Sequence, residues 1–218
     1  AVGRAIRLSK GKAIGSIVIP VFIEDHEDPD EVLNSSPFKK VWAVVNALRS
    51  HDEGLGQELD QLRQALGKRG TVGKADKIVF DLPTTITHQF ESALATKLIE
   101  STTAYWEQGF GSLSAYKAEH GNCFVRDKLR YRGFSLGNWI SVQIRNTDKL
   151  DPRKIERLNN LGFIWDKEDY FWEKNFCELV KFKEMNGHCE VPAKRKDGKA
   201  GRLNNWVSTQ RKNQPLQV

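Results

Sequence analysis

Apolar positions recur along this chain at two spacings. Phe38, Val41, Val45 and Leu48, followed by Leu55, Leu59, Leu62 and Leu66, stand three or four residues apart, so each set marks one face of an amphipathic helix. Residues 14–23 behave differently: Ile17, Val18, Ile19, Val21, Phe22 and Ile23 form a short, largely β-branched run, which predicts a buried strand. Residues 77–83 predict a second strand and residues 87–102 a further helix. Between them, residues 67–75 hold three glycines and three cations and read as a flexible basic linker. The leucine stripe is too short for a dimerising coiled coil and is expected to be a core face.

From Trp106 onward the pattern is written twice. Trp106, Phe110, Leu113, Tyr116, Gly121, Cys123 and Val125 return 66 residues later as Trp172, Phe176, Leu179, Phe182, Gly187, Cys189 and Val191. After one inserted residue, Leu136, Asn138, Trp139, Ser141 and Gln143 return as Leu203, Asn205, Trp206, Ser208 and Gln210. A long period with aromatic, glycine and glutamine positions in step marks two copies of one supersecondary unit.

Within a copy, the first four apolar residues make a helix that Gly121 or Gly187 closes, since a helix end commonly needs a left-handed residue. A short extended crossing and a basic loop lead to a second helix through Leu136, Trp139, Ile140 and Gln143. A third begins at Asp151-Pro152, an N-cap with proline behind it, carries Ile155, Leu158 and Leu161, and stops at Gly162 before Phe163 and Trp165. The second copy is expected to lack this third helix, because the sequence stops at Val218.

This succession of Trp-x3-Phe, Leu, Tyr or Phe, then Asn or His beside Gly, Val-Pro, Leu-x2-Trp-Ile/Val-x2-Gln and a closing Leu-Gly-Phe-x-Trp resembles the helicase-associated domain. The first copy departs from it by carrying Arg126 where Pro192 stands in the second. The resemblance implies a mainly α fold: two tandem three-helix repeats, residues 101–165 and a truncated 166–218. These would follow a helical connector over 51–100 and a remnant, over 1–50, of the C-terminal edge of an α/β RecA-like motor domain. It further implies a C-terminal fragment of a bacterial superfamily 2 helicase or translocase, whose N-terminal motor domains are missing. Nucleic acid is the implied partner, DNA ahead of RNA.

Charge agrees with that partner. The net charge is +6. Residues 101–218 hold 21 Lys and Arg against 14 Asp and Glu, whereas residues 1–100 hold 13 against 14. A localised positive field is the usual footprint of a nucleic-acid partner. Its candidate carriers are the loop cations Arg126, Lys128, Arg130 and Arg132 in the first copy, and Lys194, Arg195, Lys196, Lys199 and Arg202 in the second. Each loop feeds a helix N-terminus, where backbone N–H groups also favour phosphate. Gln143 with Arg145, and Gln210 with Arg211, stand on the helices that follow; glutamine can pair with adenine and arginine with guanine, or the glutamines can bond within the core edge. A protein–protein docking module, or a DNA-binding protein without motor activity, would use the same repeats.

Other chemistry is not expected. No apolar run is long enough for a membrane span and no signal peptide is visible, so a cytoplasmic location is expected. The acidic stretch at residues 24–31 lacks a calcium-loop framework. Cys123 and Cys189, with His120 and His188, lack paired zinc-ligand spacing, and no metal site is assigned. No Walker A loop is present, so the chain alone should not hydrolyse ATP.

Gly3, Arg4 and Arg7 resemble the end of helicase motif VI, Gly-Arg-x-x-Arg. At i and i+3 on a helix the two guanidiniums point the same way. The resemblance implies that Arg4 and Arg7 reach ATP phosphates, with Mg, across a cleft of the intact parent. There, Arg4→Ala or Arg7→Ala should slow ATP turnover by about 10³-fold or more and leave DNA binding unchanged. Steady-state ATPase assays check this, and unchanged turnover in both variants would remove the pair from catalysis.

Overall fold

A computed structural model describes residues 17–21, 29–83, 87–193 and 201–213. The chain forms two compact units, Ala1–Phe163 and Ile164–Val218. Gly3, Arg4 and Arg7, the acidic residues 24–28, and Lys194, Arg195, Lys196 and Lys199 lie outside the described residues.

The first unit is built from helices whose ends follow from their terminal residues. They are α1 (Pro29–Asn34), α2 (Ser36–Arg49), α3 (Glu53–Arg69), α4 (His88–Thr102), α5 (Tyr105–His120), α6 (Leu136–Arg145) and α7 (Pro152–Asn160). Asp52 caps α3 by accepting from Leu55 N at 2.9 Å, Thr87 caps α4 from Phe90 N at 3.3 Å, and Asp151 caps α7 from Arg153 N at 2.8 Å. In the second unit α8 (Lys167–Asn186) starts on Asp166, whose carboxylate accepts from Glu168 N and Asp169 N, and α9 (Arg202–Asn213) follows the crossing. No helix among the described residues is long and apolar enough to cross a membrane.

The mainly α fold is as expected, but the two predicted strands are not paired. Among the described residues the only β contact is a single bridge, Tyr131 to Phe134. Over residues 17–21, Ile17, Ile19 and Val21 are half-buried while Val18 and Pro20 are exposed; the remainder of the predicted strand lies outside the described residues. Ile78, Phe80 and Leu82 likewise turn inward, and Val79 and Asp81 outward. Side chains in both segments therefore alternate with a period of two. Both segments lay one side on the same cleft, lined by Phe38, Trp42, Val45 and Leu94, instead of joining a ladder.

That cleft borders the core in which Leu33, Phe38, Trp42, Leu55, Leu59, Leu98 and Ile99 are buried. Arg49 ties the surrounding helices together. It holds Asp60 of α3 through two bonds of 2.7 and 2.9 Å and also donates to the Thr102 carbonyl at the end of α4.

A second packing line runs between α3 and α5. Ser112 Oγ donates to the Gly67 carbonyl at 3.1 Å in a buried contact. A Cβ on Gly67 would meet Gln108 O at 2.1 Å, and one on Gly111 would meet Gln64 O at 2.2 Å. The two backbones can approach this closely only because neither glycine has a side chain. Gly67→Ala or Gly111→Ala should therefore destabilise the first unit by about 1–3 kcal/mol, since backbone must move. Urea unfolding monitored by circular dichroism checks this; a change within about 0.5 kcal/mol would mean that the helices part without cost.

Candidate nucleic-acid interface

The first repeat is organised by one side-chain amide. Trp106 Nε1 on α5 donates to Gln143 Oε1 on α6 at 3.0 Å, while Gln143 Nε2 donates to the Trp139 carbonyl at 3.0 Å. Gln143 is 5 % exposed, so both ends of its amide are satisfied inside the fold. Trp106 stacks on Phe110 at 5.3 Å between centroids and meets Trp139 at 5.9 Å. Gly109 leaves the space for the Trp139 ring, which a Cβ there would strike at 2.2 Å.

The second unit repeats the arrangement. Trp172 Nε1 donates to Gln210 Oε1 at 3.3 Å, Trp172 stacks on Phe176 at 5.1 Å, and Trp172 meets Trp206 at 5.9 Å. Gln143 thus follows the core-bonding alternative, while half-buried Gln210 keeps the same bond to tryptophan at a more exposed position.

What the amide positions is the opposite face of each second helix. Asn138, Ser141, Val142 and Arg145 are exposed on α6, at i, i+3, i+4 and i+7, while Leu136, Trp139, Ile140 and Gln143 are buried. On α9 the same register exposes Asn205, Ser208, Thr209 and Lys212. Asparagine, serine and a terminal cation therefore recur at the same surface positions of both helices. In the sequence Asn138, Ser141, Asn205 and Ser208 are visible only as repeat markers, and nothing in the spacing sets them, or Lys212, apart as surface positions. Only burial separates the repeated residues that build the core from those that leave it.

The loop before α6 is ordered by its own backbone. Tyr131 N and Phe134 N each donate to the other's carbonyl at 2.8 and 2.9 Å, and Gly137 N donates to the Leu129 carbonyl at 3.0 Å. Lys128 (φ 60°) and Arg132 (φ 48°) hold left-handed conformations that cost a non-glycine residue some strain. Arg126, Lys128, Arg130 and Arg132 are all exposed, yet they differ in what they touch. Arg132 donates to the Lys68 carbonyl, pairs with Glu119 and lies 5.1 Å from the Tyr131 ring centre. Arg130 donates to the Gly133 carbonyl at 2.7 Å. These two shape the loop, and Arg126 and Lys128 are its outward cations. In the second unit Arg202 and Arg211 are exposed, the latter 3.4 Å from the Cys189 carbonyl.

The repeated cysteine serves packing. Cys123 is buried, its Sγ–H points at the Leu161 carbonyl at 3.3 Å, and burial pushes its thiol above the ordinary range, away from nucleophile chemistry. Among the described residues no group of three or more His, Cys, Asp or Glu could hold a metal.

The family model described as "helicase associated domain" matches residues 103–166 and again residues 169–217. No curated protein and no solved structure matches the chain.

Core and surface positions of α6 should separate cleanly in stability. Gln143→Ala should cost about 1–3 kcal/mol, because the Trp106 indole loses its buried acceptor. Asn138→Ala and Ser141→Ala should stay within about 0.5 kcal/mol. Urea denaturation of the three variants checks this; equal losses at all three positions would contradict the division of the helix.

Proposed function

Since this chain belongs to the helicase-associated domain family, we propose that it serves as the nucleic-acid-binding accessory part of a helicase, gripping duplex DNA with the exposed faces of α6 and α9. The observation that carries the reading is the recurrence of Asn138, Ser141 and Arg145 as Asn205, Ser208 and Lys212 on surfaces that the core does not use. Packing supplies no reason for two copies to keep the same solvent-facing polar residues. Ligand contact does.

The chemistry fits a groove. Asn138 and Asn205 stand near the N-terminal ends of their helices, where groove-reading helices bring side chains to base edges, and asparagine can bond adenine through two contacts. Serine can bond base edges or phosphate, and Arg145 and Lys212 can neutralise phosphates further along. Arg126 and Lys128 would hold the backbone beside α6. Lys194, Arg195, Lys196 and Lys199 enter the proposal from the sequence alone. DNA is favoured over RNA because the deep, narrow major groove of A-form RNA does not admit a helix.

The wider setting is a superfamily 2 motor supplied by the intact parent. Gly3, Arg4 and Arg7 would belong to the edge of its second RecA-like domain, with ATP and Mg bound there and not by this chain alone. The spacing of the two arginines is the support for that part.

A salt titration by fluorescence anisotropy tests the grip. Arg145→Ala combined with Lys212→Ala should lower the slope of log K against log salt by about 2 on duplex DNA. Asn138→Ala with Asn205→Ala should keep the slope and flatten the preference among duplex sequences. A folded Arg145/Lys212 variant with the parental slope and affinity would contradict the assignment.

A further inference from the structure

We infer that Val142 on α6 and Thr209 on α9 read A·T base pairs, each setting a side-chain methyl against the C5 methyl of thymine. The inference rests on the reading of these helix faces as a duplex-DNA surface, and it names the base pairs that surface takes.

The two residues stand at the centre of the outward faces. Val142 lies one turn after Asn138, beside Ser141 and three residues before Arg145; Thr209 has the same place among Asn205, Ser208 and Lys212. Val142 is 40 % exposed, and Thr209 is exposed as well. The first repeat has its third helix, α7, packed through the wholly buried Leu158, and Val142 is still open. The repeat's own packing therefore does not cover this position.

A single exposed valine is common on a protein surface. Two features distinguish this one. Helix formation does not favour the residue, because β-branched side chains lose rotamer freedom in a helix and rank below alanine, leucine, lysine and glutamate. Both copies nevertheless carry one at this exposed position. Valine and threonine also share their shape and a methyl on the β-carbon, and the group that differs is withdrawn. Thr209 Oγ1 donates to the Asn205 carbonyl at 2.9 Å, within its own helix. Its hydroxyl proton is engaged there, and the methyl is the group the two copies have in common to offer a ligand.

The neighbours on each face specify that ligand. An A·T pair shows two features in the major groove: an adenine edge that asparagine bonds through two contacts, and thymine's methyl, which no other base carries. Asn138 with Val142, and Asn205 with Thr209, put an amide and a methyl one helical turn apart on one side of the helix. That distance is about 5.4 Å, or roughly one to two base-pair steps. Arg145 and Lys212 supply charge for the phosphates at the end of each face. A protein partner would ask for a wider apolar patch than one methyl ringed by amide, hydroxyl and cation.

The probes are two short fluorescein-labelled duplexes, one of alternating dA and dT and one with every thymine replaced by uracil, each titrated by anisotropy with the full chain. Uracil pairs with adenine through the same groups and lacks only the C5 methyl, so the asparagine and phosphate contacts are common to both. The thymine duplex should bind about four-fold tighter or more, the factor that one buried methyl is worth. Val142→Ser combined with Thr209→Ser should bring the two duplexes to equal affinity, whereas Val142→Thr should keep the difference. Circular dichroism confirms the fold of each variant. Salt-dependent binding of both duplexes with equal affinity by the unaltered chain would overturn the methyl contact and leave the duplex-DNA reading standing. Absence of salt-dependent binding to either duplex would overturn that reading, and the methyl contact with it. A thymine preference that survives in the double serine variant would also overturn the assignment, because the methyl would then be sensed elsewhere or through duplex shape.

Discussion

The hydrogen bond from the Trp106 indole to the Gln143 amide sets the rotation of α6, and most of the first repeat depends on it. A helix advances about 100° per residue, so a slip of one position would carry Asn138 into the core and Trp139 out of it. Gln143 prevents that slip in two directions, holding Trp106 across the helix pair and the Trp139 carbonyl within its own helix. Trp172 and Gln210 make the same cross-helix bond in the second unit. The inner face is thereby fixed, and the outer face follows: an asparagine, a serine and a cation at constant spacing on each second helix.

Much of this was legible in the sequence, and the failures have physical causes. Spacings of three and four located α5, α6 and α7 and their glycine and aspartate ends, because those signals are local. The apolar, β-branched content of residues 14–23 and 77–83 predicts strands, whereas the described residues 17–21 and 77–83 turn alternate side chains toward a cleft without pairing. Such content could not reveal whether another strand lies alongside, since a segment packed on helices through every second side chain carries the same pattern. Gln143 presented two uses of one amide, and only the distance to Trp106 decides between them. Asn138 and Ser141 were visible as repeated residues, but a repeat marks what is kept without saying whether it faces inward or outward. The loop cations were located from charge, while the turn of Arg130 and Arg132 toward nearby carbonyls follows from backbone conformations no charge count contains.

The first repeat also depends on a helix that its own sequence does not announce. Gly67 and Gly111 let α3 lie against α5, and Gln64 donates to Glu107 at 2.9 Å, so this buried carboxylate is shared between α3 and the Arg157 of α7. The unit is therefore larger than the three helices the pattern marks. Where those glycine and serine positions change to Cys177 and Glu178, the requirement for such a neighbour goes with them, while the aromatic pair and its carboxylate persist. Comparing the two copies residue by residue thus separates two demands on one motif: an internal lock and an outward polar face.

The central claim is that the lock and the DNA-facing surface are distinct sides of the same helices. Side-chain amide and indole signals in a ¹H–¹⁵N spectrum, recorded while duplex DNA is added to the full chain, test it directly. The Asn138 and Asn205 amide signals should shift progressively, and the Gln143 amide and the Trp106 and Trp172 indole signals should stay in place. Shifts confined to Gln143 and the two indoles, with both asparagines unmoved, would contradict it.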